Sequence, residues 1–293
     1  MYSIFDQSIN YSGNRETLSR LSKLLKIKRT YKLVDNVIAI NCYKFGLIKT
    51  SALKNYIIIV GGTDINFDIW SNYRKFLIVH DTLVRSKYII AFNKYIYDIV
   101  KYRYNINERK IKIIPQSIPK KLKMSKSISI KNFIPSNKKY FVMVGNLRPV
   151  KRHEFLFDFF TKSKEYILVI IGNTIEGDYI FPKNIMYLGP LKKKYVYTFM
   201  KKSIGLINTS ISEGMSLSIL EAMKLRCPVY AYNNAGNTAI IKHGFNGYIF
   251  NTVKEFELII KLSTKNIVNN AYDYVYTRHS VENEKQRYLR LLN

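Results

Sequence analysis

Two arrangements of apolar residues recur along the chain, and together they predict an α/β protein. Short continuous apolar runs, such as residues 56–60 and 166–171, are typical of parallel strands that are buried on both faces. Between them lie segments whose apolar residues recur at the spacing of a helix with one buried face. Strands that alternate with helices in this way favour parallel sheets covered by helices on both sides.

The pattern places these elements in two successive sets. The first set has predicted strands at 2–5, 36–41, 56–60, 88–92 and 110–114, and helices at 15–26, 71–86 and 93–104. The second set has predicted strands at 140–144, 166–171, 185–188, 204–208, 228–232 and 247–250, helices at 153–162 and 193–202, a helix that starts at Met215, and a last helix at 280–293. The helix at 71–86 is expected to bury one apolar stripe, with His80 on it as a core histidine. The apolar members of this stripe are Tyr73, Phe76, Leu77, Leu83 and Val84.

A stretch rich in proline, serine and lysine separates the two sets and carries no regular apolar period. We predict a Rossmann-like domain at 1–118, a linker at 119–138, a second domain at 139–279, and a C-terminal helix at 280–293 that packs back toward the first domain. In such a protein the carboxyl ends of both sets of strands face a cleft, where α/β sheets bind ligands.

Two glutamates bracket the start of the helix that follows the strand at 204–208. Glu213 and Glu221 have seven residues between them, among them Gly214 and Ser216. The N-terminus of a helix offers free backbone N–H groups and the positive end of its dipole, and together these bind phosphate. A carboxylate on each side suits a ligand with hydroxyls at both ends and phosphates in its middle, such as a nucleotide-sugar.

Small turns also follow two predicted strands of the first half. Gly13 and Asn14 come after the first strand, and a turn with Gly62 and Asp64 comes after the strand at 56–60. Such turns either bind a ligand or merely connect a strand to a helix, with Asp64 as a local cap. For Gly13 a plain tight turn is the simpler interpretation, and for Asp64 both interpretations stand.

The formal net charge of +28 raises the question of a nucleic-acid or membrane partner. The basic residues are scattered, however, and no helix-turn-helix, zinc-finger or RNP pattern accompanies them. Lysine, isoleucine, asparagine and tyrosine are abundant together, a mixture that an AT-rich coding sequence produces. We therefore expect no specific nucleic-acid partner, and only a weak contact of the basic surface with acidic membranes.

The other features favour a cytoplasmic protein without a metal centre. No secretory signal or membrane-spanning stretch stands out. Cys42 and Cys227 lie too far apart for a metal-type spacing and are expected to be buried thiols of a reducing compartment. The histidines form no ligand cluster and there is no Asp-x-Asp pair, so we expect neither a metal nor a cofactor.

The motifs resemble those of the retaining glycosyltransferases of family 4, in order and over nearly the whole chain. Glu213 and Glu221 stand in Ser-Glu-Gly-Met-Ser-Leu-Ser-Ile-Leu-Glu-Ala-Met, which is followed by Pro-Val at 228–229 and Asn-Gly-Tyr at 246–248. One small subgroup of the family has similar turns at the positions of 12–14, 61–64, 147–151, 212–216 and 236–239. The resemblance implies the GT-B fold, an α/β architecture of two Rossmann-like domains facing a cleft.

The resemblance also implies which residues hold the donor diphosphate. In the family a lysine and a nearby arginine bind it, and here Lys151 matches the lysine. Asn146 stands where the arginine is usual, so Arg148 is assigned that role. The backbone of Gly214, Met215 and Ser216 is expected to hold the distal phosphate, although a serine at a helix start needs no ligand to be there.

The remaining roles concern hydroxyl groups. By resemblance, Glu221 accepts hydrogen bonds from the donor ribose and Glu213 accepts them from the transferred sugar. Gly13 and Asn14 are expected on the donor side. Gly62 and Asp64 are expected in the active-site turn, on the acceptor side.

Two departures from the family bear on turnover. Gly61 replaces a histidine at the end of the strand at 56–60, and Ala239 stands where an acidic residue is frequent. Retaining transfer in this fold is described as front-face attack, in which the leaving phosphate takes the acceptor's proton, so positioning and charge stabilisation dominate. We expect a hexosyltransferase that uses a nucleotide diphosphate-sugar and a glycan, lipid or protein acceptor. The alternative is a catalytically impaired nucleotide-sugar-binding protein, which Gly61 and Asn146 favour.

Overall fold

The structure of the chain, a computed structural model, describes residues 2–6, 12–48, 53, 55–66, 72–125, 130–175 and 177–292. Within these residues it is an α/β protein with two six-stranded parallel sheets, which confirms the predicted fold class. Contacts along the chain divide it into two compact units. The first comprises Met1–Ser117, Ser212–Met215 and Val281–Asn293, and the second comprises Ile118–Ile211 and Ser216–Ser280.

The first unit begins as repeated strand and helix units. Its strands are β1 (Ser3–Phe5), β2 (Arg29–Thr30), β3 (Val37–Ile40), β4 (Tyr56–Ile59), β5 (Tyr88–Ala91) and β6 (Ile111–Ile113). Its helices in this part are α1 (Ser12–Leu25), α2 (Cys42–Ile48), α3 (Thr63–Asn66), α4 (Tyr73–Arg85) and α5 (Lys94–Asp98), the last continued by a π-helical turn, Ile99–Arg103. The strands lie in the order β2-β1-β3-β4-β5-β6.

The second unit repeats the arrangement. Its strands are β7 (Lys139–Val144), β8 (Tyr166–Ile171), β9 (Ile185–Tyr187), β10 (Gly205–Asn208), β11 (Val229–Tyr232) and β12 (Tyr248–Phe250). Its helices are α6 (Phe157–Lys162), α7 (Lys193–Lys202), α8 (Leu217–Lys224), α9 (Ala235–Thr238), α10 (Val253–Ile259) and α11 (Lys265–Arg278); α12 (Val281–Leu292) then belongs to the first unit. The strands lie in the order β12-β11-β10-β7-β8-β9.

The continuous apolar runs form the centres of both sheets. Every residue of β3 and β4 is buried, and in β8 only Tyr166 is partly exposed. A parallel strand covered by helices on both faces has no polar side, which is why these strands read as unbroken apolar runs. The hydroxyl of Tyr56, which lies in this core, donates to the carbonyl oxygen of Thr82 at 2.7 Å.

The buried face of α4 agrees with the predicted one only in part. Leu83 is buried as predicted and Phe76 is partly buried against the core, together with Val79, which was not predicted. Tyr73, Leu77 and Val84 are instead 76%, 46% and 47% exposed. Apolar residues lie on most sides of this segment, so their spacing predicts a helix without determining which side packs. His80, also on the predicted stripe, is partly buried and stacks on Phe76 with ring centroids 5.9 Å apart.

The sequence pattern does not predict α2, α3, α10 or α11. The first three have at most seven residues, too few for a clear apolar period. In α11 the buried positions are Ile267, Ala271 and Val275, one residue per turn, which gives a weak apolar stripe. Among the helices that the structure describes, none combines the length and the apolar character needed to cross a bilayer.

Candidate active site

The sheet of the second unit reverses its strand order between β7 and β10. Open α/β sheets bind ligands beyond the carboxyl ends of their strands at such a point. β7 leads into a short 3₁₀ turn, Pro149–Lys151, with Arg148 in an extended conformation before it. β10 leads into the segment that ends at Ser216, before α8. The predicted phosphate-binding residues of this unit therefore follow the two strands at the reversal.

Two hydrogen bonds fasten the turn after β7 to the segment after β10. Thr209 Oγ1 donates to the carbonyl oxygen of Lys151 at 2.9 Å, and the backbone N–H of Ile211 donates to that of Val150 at 2.9 Å. The main chain of Lys151 is thereby fixed, while the residue, like Arg148, stays partly exposed. Two cations carried on a fixed turn beyond the carboxyl end of β7 are suited to an anionic ligand.

Asn146, where the family usually has arginine, joins the turns after β7 and β8. Its Oδ1 accepts a hydrogen bond from the backbone N–H of Asn173 at 3.2 Å. The two turns run so close together that a β-carbon on Gly172 would lie 2.0 Å from the carbonyl oxygen of Gly145. An arginine has no acceptor atom and could not make the bond to Asn173.

His153 lies just after the same turn and is buried. Burial, followed by the positive charge of Lys151, lowers the pKa of His153 to about 4. The imidazole is therefore neutral near pH 7 and adds no charge to the turn. Its ring meets that of Tyr179 edge-on, with centroids 6.3 Å apart.

The helix expected to start at Met215 starts two residues later, with α8, because Ser216 has an extended backbone and is the N-cap residue. The Ser216 side chain makes no capping hydrogen bond. Its Oγ accepts from Asn208 Nδ2 at 3.3 Å and lies 3.0 Å from Ser218 Oγ. The first backbone N–H groups of α8 are therefore not satisfied by this serine, which is the usual function of an N-cap side chain.

An asparagine network supports the same strand ends, and the sequence reasoning missed it. Asn237, fully buried, donates from Nδ2 to the carbonyl oxygen of Tyr232 at 2.9 Å and to Asn208 Oδ1 at 3.3 Å. Asn234 donates from Nδ2 to the carbonyl oxygen of Ser210 at 2.7 Å. The sequence does contain a signal for this network: Asn208 ends β10, and Asn234 and Asn237 follow the next strand, β11.

Glu221 lies within α8 and is only 3% exposed. Its Oε1 accepts hydrogen bonds from Lys193 Nζ at 2.6 Å and from Tyr197 Oη at 2.9 Å. Both donors lie on α7, one helical turn apart, and the sequence analysis identified neither. A buried carboxylate requires such partners, because burial of an unpaired charge is unfavourable.

The first unit includes Ser212–Met215, although this segment follows β10 in the sequence. A β-carbon on Gly62 would lie 2.2 Å from the backbone nitrogen of Gly214, and one on Gly214 would lie 2.6 Å from the nitrogen of Gly62. Glycine is required on both sides of such a contact. The structure thus brings the predicted residues Gly62 and Gly214 together, with Glu213 partly exposed next to them.

Asn93, which follows β5, holds the same segment. Its Nδ2 donates to the carbonyl oxygen of Gly214 at 2.7 Å, and its Oδ1 accepts from the backbone N–H of Ile96 at 2.9 Å, which caps α5. Asn93 is 7% exposed, so both bonds are sheltered from water. The sequence pattern predicts a helix start at Asn93 but does not indicate its contact with Gly214.

Asp64 connects the turns after β3 and β4. It is 5% exposed, and its Oδ2 accepts from the backbone N–H of Cys42 at 2.7 Å, at the start of α2. Burial raises the pKa of Asp64 to about 6, and that of the Cys42 thiol rises with burial as well. A β-carbon on Gly61 would lie 2.9 Å from Asp64 Oδ1, so a histidine at that position would displace this carboxylate.

Gly13 and Asn14 lie in the first turn of α1, not in a loop before it, because the helix starts at Ser12. Residues 7–11, between β1 and this helix, lie outside the described residues. The backbone N–H groups of Gly13 and Asn14 are therefore among those of the first turn of α1, which have no hydrogen-bond partner within the helix.

The predicted site residues thus fall into two groups, one in each unit. Those of the second unit are Arg148, Lys151, Ser216 and Glu221. Those of the first unit are Gly13, Asn14, Gly62, Asp64, Glu213, Gly214 and Met215.

Comparisons with known proteins agree with this architecture. The family described as glycosyl transferases group 1 matches residues 124–272. Glycosyltransferase 1 domain-containing protein 1 of Xenopus tropicalis is 33% identical over 281 residues, covering 86% of this chain and 80% of the relative. This relative carries the name of the subgroup with the similar turns, and the resemblance is thereby confirmed.

Solved structures match the fold at low sequence identity. HepE of Anabaena, in complex with UDP-glucose, has a TM-score of 0.80 at 15% identity, over 99% of this chain and 98% of that chain. WaaG, a glycosyltransferase involved in lipopolysaccharide biosynthesis, has a TM-score of 0.75 at 12% identity, over 98% of each chain. The fold is therefore the predicted GT-B fold.

Proposed function

Because this chain belongs to the group 1 glycosyl transferases, we propose that it transfers a sugar from a nucleotide diphosphate-sugar to an acceptor with retention of configuration. The donor carries two phosphates between a sugar and a nucleoside. A site for it needs cations for the diphosphate and acceptors for the hydroxyls at both ends.

The fastening of the turn after β7 to the segment after β10 carries this proposal. The bonds from Thr209 to Lys151 and from Ile211 to Val150 hold the backbone of one proposed cation near the segment that leads to α8. The N-terminus of α8 adds backbone N–H groups that the Ser216 side chain does not satisfy. We assign the diphosphate to Arg148, Lys151 and these N–H groups.

HepE, which has the same fold, was solved in complex with UDP-glucose, and this supports a nucleotide-sugar as the donor class. Glu221 is assigned to the ribose hydroxyls and Glu213 to the hydroxyls of the transferred sugar. Gly13 and Asn14, in the first turn of α1, are assigned to the donor substrate as well, because backbone N–H groups at a helix start donate hydrogen bonds to anionic oxygens.

The proposed chemistry is front-face substitution. The bond from the anomeric carbon to the leaving phosphate oxygen breaks, the acceptor oxygen forms a bond on the same face, and its proton passes to the leaving phosphate. Lys151 and Arg148 stabilise the negative charge that develops on that phosphate. No protein base is required, so Gly61 in place of the family's histidine is compatible with turnover.

For the acceptor, a glycan, lipid or protein, we propose the turn with Gly62 and Asp64. The Asp64 carboxylate is buried and bonded to Cys42, so its contribution is to fix the turn and not to contact the acceptor. The backbone of Gly62 and the side chain of Glu213 are the groups of this turn region that we assign to substrate.

A panel of UDP-, GDP- and ADP-sugars, assayed for donor hydrolysis and for thermal stabilisation, tests the proposal. We expect one donor to be hydrolysed slowly and to raise the melting temperature, and Glu221→Gln to weaken its binding. If a nucleotide raises the melting temperature but no donor is hydrolysed, and no transfer to glycan, lipid or protein extracts follows, the chain is an impaired binding protein. If no nucleotide binds, both interpretations fail.

Weak membrane contact is a second, independent proposal. α4 exposes Tyr73 and Leu77, with Arg74 also exposed next to them on the same helix. Apolar side chains next to cations bind anionic lipid surfaces. We expect cosedimentation with vesicles that contain phosphatidylserine, reduced by added salt and by Leu77→Asp, and none with neutral phosphatidylcholine vesicles.

We also propose a cytoplasmic location. Cys42 and Cys227 are both buried and unbridged, which is compatible with a reducing compartment. Fractionation of expressing cells tests the location.

A further inference from the structure

We propose that Lys193 and Tyr197 are positioning residues of the donor site, which orient the Glu221 carboxylate toward the ribose hydroxyls. The inference rests on the proposed function, since it assigns Glu221 to a ribose. It adds α7 to the site, a helix to which no sequence motif pointed.

The geometry is that of a two-donor clamp on one oxygen. Lys193 Nζ and Tyr197 Oη both donate to Glu221 Oε1, at 2.6 Å and 2.9 Å. Positions four apart on a helix lie on the same face, so α7 presents both donors to α8 together. Two donors on the same oxygen restrict the movement of the Glu221 carboxylate more than one donor does.

The two donors differ in their environment. Tyr197 is buried at 8% exposure, whereas the Lys193 side chain is 43% exposed. Tyr197 therefore acts as a rigid support, and Lys193 supplies the charge that balances the buried carboxylate.

This arrangement predicts an effect on nucleotide affinity and not on the chemical step. Ribose contacts are equally strong in the ground state and the transition state, so losing them raises KM and leaves kcat unchanged. We expect Lys193→Met and Tyr197→Phe to raise the KM of the donor by about tenfold each, the size of one charge-assisted hydrogen bond. The value of kcat at saturating donor should stay within about twofold of wild type.

Matched variants separate positioning from general charge and stability effects. Lys194→Met removes the same charge from the next residue of α7, which is exposed and has no bond to Glu221, and should leave KM unchanged. Lys193→Arg keeps a cation that donates to a carboxylate and should restore most of the affinity. Melting temperatures of all variants show whether any of them is only unfolding.

The decisive experiment uses two nucleotides that differ only in the ribose. Binding of UDP, ADP and GDP is measured by calorimetry, and the nucleoside diphosphate that binds is then compared with its 2′,3′-dideoxy analogue. Wild type should prefer the ribonucleotide by about tenfold or more. Lys193→Met and Tyr197→Phe should weaken the ribonucleotide alone and reduce this preference, while Lys194→Met should keep it.

The outcomes separate the two proposals. If wild type binds no nucleotide, the proposed function fails. If wild type prefers the ribonucleotide and the variants keep that preference, or weaken both nucleotides equally, then Lys193 and Tyr197 do not act through the ribose contact and the positioning proposal is overturned.

Discussion

The side-chain amide of Asn93 donates to the carbonyl oxygen of Gly214 at 2.7 Å, while the amide oxygen of the same residue caps α5. One buried side chain thus connects a helix start of the first unit to the segment that contains Glu213. The bond fixes the peptide between Gly214 and Met215, one residue beyond Glu213, which is the residue we assign to the sugar hydroxyls.

Asn93→Ser separates these two functions. Serine is also a good N-cap residue but its side chain is shorter by two heavy atoms, so we expect α5 to stay capped and the bond to Gly214 to be lost. The value of kcat should fall by on the order of tenfold, because a small misplacement of a substrate-binding group is costly. Asn93→Ala should in addition lower the free energy of unfolding by about 1 kcal/mol. Steady-state kinetics and urea unfolding measure the two effects, and an unchanged kcat in Asn93→Ser would contradict the assignment.

Gly62→Ala tests the backbone contact beside that bond. Its β-carbon would meet the Gly214 nitrogen at 2.2 Å, and backbone cannot yield as a flexible side chain can. We expect a loss of about 1–3 kcal/mol in the free energy of unfolding, or displacement of the segment with a large loss of kcat. Gly61→Ala is the matched control, because its β-carbon meets only the end of the Asp64 side chain at 2.9 Å. Equal behaviour of the two variants would show that the close approach does not matter.

Lys151→Ala should slow turnover by about ten- to a thousandfold through lost stabilisation of the leaving phosphate. Arg148→Ala should act in the same direction. The control is Lys162→Ala, an exposed lysine of the same unit at the end of α6. Single-turnover kinetics at saturating donor measure the chemical step, and wild-type rates in Lys151→Ala would exclude it from the site.

The parts of this protein that a sequence pattern predicts are those with a strong local signal. The run from Tyr166 to Ile171 is apolar throughout and is observed as β8 with the predicted bounds, and Lys193–Lys202 is observed as α7. Both have unambiguous periods. In α4 the apolar residues recur with a helical period but lie on most sides of the helix. Other elements decide which side is covered, and they leave Tyr73 and Leu77 exposed.

The side-chain contacts of the candidate site were harder to predict from the sequence than the strands and helices. Motifs pointed to Glu221 and Gly214, yet their partners Lys193 and Asn93 lie 28 and 121 residues away in the chain. No local rule pairs residues at such separations. The two hydrogen-bond donors on α7, Lys193 and Tyr197, nonetheless have the four-residue spacing of one helical face. They lie in a predicted helix that precedes the motif with Glu213 and Glu221.

Glu284→Ala should destabilise the first unit. Arg20 of α1 forms an ion pair with Glu284 of α12, whose side chain is 1% exposed, and Ser117 N–H donates to the same oxygen at 3.1 Å. Removing one partner of a buried pair costs about 3–5 kcal/mol, because the other charge stays buried. Glu282→Ala, on the exposed side of α12, should cost little. Urea unfolding of the two variants gives the comparison, and similar midpoints would show that the buried pair contributes nothing.

His153→Phe should change how stability depends on pH. The pKa of His153 is about 4 in the folded protein and about 6.5 when unfolded. Between these values the unfolded chain binds more protons, so the free energy of unfolding falls as pH falls, by about 3 kcal/mol at most. Phenylalanine keeps a ring against Tyr179 but does not titrate, so the variant should lose this part of the slope.

Asp64 changes the free energy of unfolding in the opposite direction over an overlapping pH range, so an Asp64 variant is the control. The pKa of Asp64 is raised to about 6, above the unfolded value of about 3.9, so the folded protein binds more protons there and gains stability as pH falls. Asp64→Asn keeps an acceptor for the Cys42 N–H and removes the titration, so acid destabilisation should be steeper than in wild type. Urea midpoints measured from pH 7 to pH 4 should therefore fall fastest in Asp64→Asn and slowest in His153→Phe. The reverse order would show that neither buried group governs the acid response.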